Sequence, residues 1–259
     1  MSFVTWHELY QSDLQSAVAV TIVPLLFLLY LARTERTAPA GVVPAAARFM
    51  HVWAVTFTVL TIIDPLAGGP LMRLLGLDDA PAATMVTVAF VLLGDFRVYL
   101  LLFTLMTYAG LRHDTRIADP VSAARDALRL VPTRAAITAM LATLLVPIVA
   151  VAIDAALRIR DPDLPAQSIW LIYEISFLIV ALGLRAWLVP ARVPAAEPRL
   201  RNYLRAILTY VAVYYGLWAT ADVIILAGFD VGWALRMIPN QLYYAFWIPF
   251  AYGLFFARR

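Results

Sequence analysis

The chain has 259 residues, 63% apolar and 14% charged, with a mean hydropathy of +0.81 and a formal charge of +3. A soluble domain of this length is about half apolar and about a quarter charged, so the composition excludes a single water-soluble core and points to a chain dissolved in lipid. There is no cysteine, and all 20 basic residues are arginine. That excludes disulfides, thiolate metal sites, iron–sulfur clusters, cysteine nucleophiles and a retinal Schiff base, which needs a lysine amine.

In chain order, the first twelve residues are polar and carry no basic residue, unlike a signal peptide, so residue 14 onward reads as a retained first span. Apolar runs follow at 14–31, 46–64, 82–111, 135–157, 169–189, 203–228 and 238–257. Each approaches the ~20 residues that cross a bilayer at 1.5 Å per residue, and the third is long enough to tilt or project. The expected fold class is therefore all-α: one domain over 1–259, a polytopic bundle of seven transmembrane spans. Asp64-Pro65 reads as a helix stop. Gly68-Gly69-Pro70 breaks the chain, and Leu71, Leu74 and Leu75 suggest a small interfacial helix or re-entrant lid. Asp119-Pro120 is a helix-start signal, and Val121, Ala124, Leu128 and Val131 then repeat as one face of a short helix on the cytoplasmic surface. Pro24, Pro147 and Pro249 sit within spans as tolerated kinks.

The arginines set the orientation. Fourteen fall in the first, third and fifth loops and the C-terminal tail; four (Arg73, Arg158, Arg160 and Arg236) fall in the even loops. The odd loops and the tail thus face the cytoplasm, with the N-terminus outside, in a plasma or bacterial inner membrane. Topology accounts for the pI near 9.3, so no nucleic-acid partner is expected; the partner is the lipid bilayer, with a small-molecule ligand in view.

The acids are not scattered. Asp95 and Arg97 lie near the midpoint of the third span, Glu174 ~7 Å and Asp222 ~10 Å to the outer side of theirs, at 1.5 Å per residue. Asp154 and Asp64 lie closer to the outer boundary and read as helix-end markers. Asn240 and Gln241 open the seventh span on that side, and Arg185 sits in the inner half, its stem long enough to reach the surface. Charge inside a membrane faces the bundle interior or water, so these positions predict an acid-lined cavity open to the outside. Tyr215, Trp218 and Asp222 share a helix face, Asn240, Tyr244 and Trp247 form a stripe, and Asp95 shares a face with Tyr99. Arg97 lies about 200° away from Asp95 along the helix, so it need not pair with Asp95 as a structural ion pair and can reach a carboxylate on another helix, such as Glu174 or Asp222. The candidate ligand- or proton-binding residues are Asp95, Arg97, Glu174, Asp222, Asn240, Trp218 and Tyr244.

No cofactor is expected. His7, His51 and His113 are too dispersed for haem or zinc, and no phosphate loop, nucleophile elbow, HExxH or DDxxD motif is present. A carboxylate-only site for a hard ion such as magnesium or calcium stays open, though the spacing gives no direct sign of it. The leading reading is binding or transport of a small polar or cationic solute, with or without proton coupling. An intramembrane enzyme acting on a lipid is the second reading and needs two carboxylates at one reacting bond. A non-catalytic membrane subunit or sensor is the third, and predicts paired polar residues with no open cavity.

Overall fold

The computed structural model describes residues 5–34, 44–67, 69–76, 81–113 and 131–257. All regular structure among them is helical. A short α1 (Trp6–Gln11) precedes α2 (Leu14–Arg33), α3 (Pro44–Ala67), a one-turn α4 (Pro70–Leu74) and the long α5 (Pro81–His113). Then come α6 (Thr133–Arg160), α7 (Gln167–Arg192), α8 (Pro198–Leu226) and α9, helical over 231–256. Six of them, α2, α3 and α5 to α8, are long and apolar enough to cross a bilayer, as a multi-pass membrane protein requires. The surface helix expected after Asp119 lies outside the described residues, apart from Val131.

Packing follows the inside-out logic of a lipid-dissolved bundle. On α6 the buried positions are Ala135, Ala139, Thr143, Val146, Ala150 and Asp154, a mostly small-residue stripe at helical spacing. Its other face exposes Ile137, Met140, Leu141, Leu145 and Ile148. In hydrocarbon, apolar side chains gain nothing by leaving the solvent, so small residues that let backbones approach define the contacts. The long helices close a ring, each packed on the next in the order α2, α3, α5, α6, α7, α8, α9 and back to α2.

Two sequence expectations are corrected. Pro65 does not stop α3, which runs on two residues to Ala67; a proline in the last turn of a helix removes one backbone bond without ending it there. The last helix does not begin at Ile238 but at Val231, so Arg236 belongs to a helix rather than a loop.

The α8–α9 corner explains that earlier start. Gly228 adopts φ +86°, and the amides of Gly228 and Phe229 donate back to the carbonyls of Ile225 (2.9 Å) and Ile224 (3.1 Å), the double bond of a Schellman stop. One turn on, a Cβ at Gly232 would lie 2.9 Å from both the Ala221 carbonyl oxygen and the Ile225 nitrogen. Gly232 therefore lets α9 return hard against α8. Gly232→Ala will lower stability by about 1–3 kcal/mol, because backbone atoms cannot step aside. Thermal unfolding in detergent checks this, with Gly253→Ala, where nothing lies within 4 Å of the added methyl, as a control that loses no stability.

α9 carries a wide turn at Gln241–Phe246, where the helix loosens to π geometry. Two of its carbonyls accept from side chains: Leu242 from the Tyr210 hydroxyl (3.0 Å) and Tyr243 from Arg97 (3.0 Å). A π turn shifts the helix register and often marks a functional site. Here the consecutive Tyr243 and Tyr244 both reach the cavity described next, whereas Trp247, expected on their stripe, is buried elsewhere.

Candidate functional site

A partly open cavity of about 350 Å³ occupies the end of the bundle that carries α1 and the α8–α9 corner. α5 lines it with Thr87, Val91 and Asp95, one residue per turn over about 12 Å of helix. α7 contributes Gln167, Trp170, Tyr173 and Glu174; α8 contributes Tyr215 and Trp218; α9 contributes Trp233, Arg236, Asn240, Tyr243 and Tyr244. Asp64 of α3 and Tyr10 and Gln11 of α1 complete the wall. Eight of these seventeen residues are aromatic, five of them tyrosines, so the wall mixes ring surface with hydroxyl, acid, amide and guanidinium groups.

Asp95 is buried, and each of its oxygens accepts from a phenol: Oδ1 from Tyr215 at 2.9 Å, Oδ2 from Tyr173. Its α5 neighbour Arg97 turns to the opposite side, as a 200° separation requires. Arg97 does not meet Glu174 or Asp222, correcting the sequence expectation. It donates to Thr61 Oγ1 (2.9 Å) and the Tyr243 carbonyl, with its guanidinium carbon 4.1 Å from the centre of the Tyr243 ring. Gly94 makes room for this ring, since a Cβ there would overlap the Tyr243 hydroxyl.

The cation that does meet those carboxylates is Arg236. One nitrogen lies 3.2 Å from Glu174 Oε1, another binds Asp222 Oδ1, and Nε donates to the Tyr10 hydroxyl at 3.2 Å. Glu174 Oε2 and Asp222 Oδ2 are buried without a hydrogen-bond partner. Asn240 accepts from Trp218 Nε1 (2.8 Å) and donates to Tyr10 (3.3 Å). Of the predicted candidates, Asp95, Glu174, Asn240, Trp218 and Tyr244 thus line one space; Asp222 stands behind Arg236, and Arg97 behind Tyr243. Asp64, read as a helix-end marker, lines the same space. Asp154 does not; it pairs with Arg158 at 2.8 Å. Among the described residues, no three His, Asp or Glu side chains gather as a metal-ligand set.

No protein-family model, curated protein or solved structure matches this chain. What the site does is therefore argued from its own side chains.

Arg236 and α1 are the parts that the sequence reading missed, and both carried a signal. Trp233, Arg236 and Asn240 recur at helical spacing, ahead of the apolar run that marked the helix. Thr5-x-x-Glu8 is a capping box: Thr5 Oγ1 accepts from the Glu8 amide (3.1 Å) and Glu8 accepts from the Thr5 amide (2.9 Å). The amides of Trp6 and His7 then donate to the Asp230 carboxylate at 2.8 and 3.1 Å, and His7 and Tyr10 pack on Trp233. A carboxylate on a helix N-terminus is favourable by both hydrogen bonding and dipole, so Asp230 fastens α1 beside the cavity mouth. Asp230→Ala will loosen α1 by about 1 kcal/mol, a typical cap contribution. Hydrogen exchange of the peptide covering residues 5–13 will quicken about fivefold, with the spanning helices unchanged.

Proposed function

We propose that this chain binds or transports a small cationic solute through a cavity facing the outside, as a seven-span protein with its N-terminus outside and its C-terminus cytoplasmic. The observation that carries the reading is charge. Asp64, Asp95, Glu174 and Asp222 face or back the cavity, against Arg97 and Arg236, leaving a formal excess of two carboxylates when all are ionised. A surplus acid in a low-dielectric site is stabilised by taking up a proton, a cation or water. Glu174 belongs to this wall, and its buried Oε2 has no hydrogen-bond partner, an acceptor that a proton or a cation would stabilise. A paired, closed bundle would leave no such space.

The 26 helical residues of α9 support a seventh span: at 1.5 Å each they extend about 39 Å, more than the hydrocarbon thickness. Seven spans put the termini on opposite sides, in keeping with the fourteen-to-four arginine asymmetry.

Uptake into right-side-out vesicles tests the function. Wild-type protein will accumulate or retain a cationic solute above empty vesicles, and a variant with Asp64, Asp95 and Glu174 all changed to amides will not. Equal signals from wild type, variant and empty vesicles across a panel of organic and inorganic cations would end the proposal.

A further inference from the structure

We infer that the cation taken by this cavity is a small organic amine in its protonated form, held by Glu174 and the aromatic wall. The inference rests on the cation-binding reading above and narrows it to one chemical class. Glu174 lines the cavity yet is only 2% exposed; Arg236 takes one carboxylate oxygen, and the other, Oε2, is buried without a hydrogen-bond partner. A single buried acceptor of this kind matches one N–H of an ammonium group, and a charge-assisted bond of that type is among the stronger ones available.

The donor set does not match a hard metal ion. Calcium takes six to eight oxygens and magnesium a near-regular octahedron. Here both Asp95 oxygens already accept phenol protons, Glu174 is half-occupied by Arg236, and Asp222 lies behind it.

The walls match an organic body. Trp170 stands 6.3 Å from Tyr173 and Trp218 stands 5.2 Å from Tyr243, ring centre to ring centre. Tyr243 already carries one cation, the Arg97 guanidinium, against its ring. Ring faces attract desolvated organic cations, while their area buries the carbon skeleton. A hydrated metal ion gains little from either. The volume of about 350 Å³ falls at the small end of small-molecule sites, roughly 300–1,000 Å³.

Three tryptophans line the cavity, so intrinsic fluorescence of the full chain in lipid nanodiscs reports occupancy. The probes are 2-phenylethylammonium, its neutral isostere 2-phenylethanol, sodium, magnesium and calcium. The amine will give a saturable change, the alcohol will bind at least tenfold more weakly, and the metal ions will neither mimic nor displace the amine. Glu174→Gln, which keeps an acceptor for Arg236, will weaken the amine at least tenfold; Asp154→Asn, outside the cavity, will leave it unchanged. Saturable binding of a metal ion with no amine response overturns the inference and leaves cation binding standing. Equal binding of amine and alcohol overturns the inference too, since charge would then play no part. Absence of any response, together with a null result in vesicle uptake, overturns both. The wild-type series decides these outcomes even if a variant fails to fold.

Discussion

Arg236→Met will be strongly destabilising, costing about 3–5 kcal/mol. Arg236 is the cation shared by Glu174 and Asp222, and all three side chains are buried. Removing one partner of a buried ion cluster leaves the others charged in a medium that cannot solvate them, and this unmet desolvation sets the size of the loss. The melting temperature in detergent will fall on the order of 10 °C, taking a few degrees per kcal/mol for a chain of this size. The triple variant Arg236→Met, Glu174→Gln, Asp222→Asn will recover most of the loss, since neutral groups demand far less of their surroundings. Arg236→Lys will recover only part of it, because one ammonium cannot reproduce a planar fork that reaches Glu174, Asp222 and Tyr10 together. A melting temperature within 2 °C of wild type for Arg236→Met would show that the two acids are neutral or solvated without it.

Asp95→Leu has an expected effect of comparable size, and it separates folding from binding. The leucine removes the acceptor for two buried phenols, Tyr173 and Tyr215. Each stranded hydroxyl costs about 1–3 kcal/mol, so the single variant will lose roughly 2–6 kcal/mol of stability. Adding Tyr173→Phe and Tyr215→Phe will restore much of it, because removing both partners of a hydrogen bond is close to neutral. Binding of the amine probe will not return with stability. The triple variant lacks one of the carboxylates that make the cavity negative, so the amine will bind more weakly than to wild type although Glu174, its direct partner, is intact. Recovery of binding along with stability would assign Asp95 to the scaffold alone.

Both predictions turn on partnerships that the sequence left open. The chain order puts Asp95 near the middle of its helix and Glu174 and Asp222 off the middle of theirs, because position along a helix is residue count times a fixed rise. It shows that Arg97 turns away from Asp95, because angle around a helix is fixed in the same way. It does not show which neighbouring helix each side chain meets. Arg97 meets neither Glu174 nor Asp222 and binds Thr61 and a carbonyl at the wide turn of α9. The cation that meets them is Arg236, on the first turns of α9, where the arginine interrupts an otherwise apolar stretch and leaves the uninterrupted run to begin only at Ile238.

What the sequence determines alone is local and additive: helical character, candidate spans, depth and facing, each a sum over consecutive residues in a solvent that forces backbone bonds to close internally. What only the tertiary structure decides is the order of helices around the ring and the register between them. That order rests on close approaches such as Gly232 against α8 and Gly94 under Tyr243, and on the register shift at Gln241–Phe246. Those contacts pair residues far apart in the chain, from Tyr10 to Arg236 and from Asp95 to Tyr215, and no periodicity within one helix encodes a distance to another.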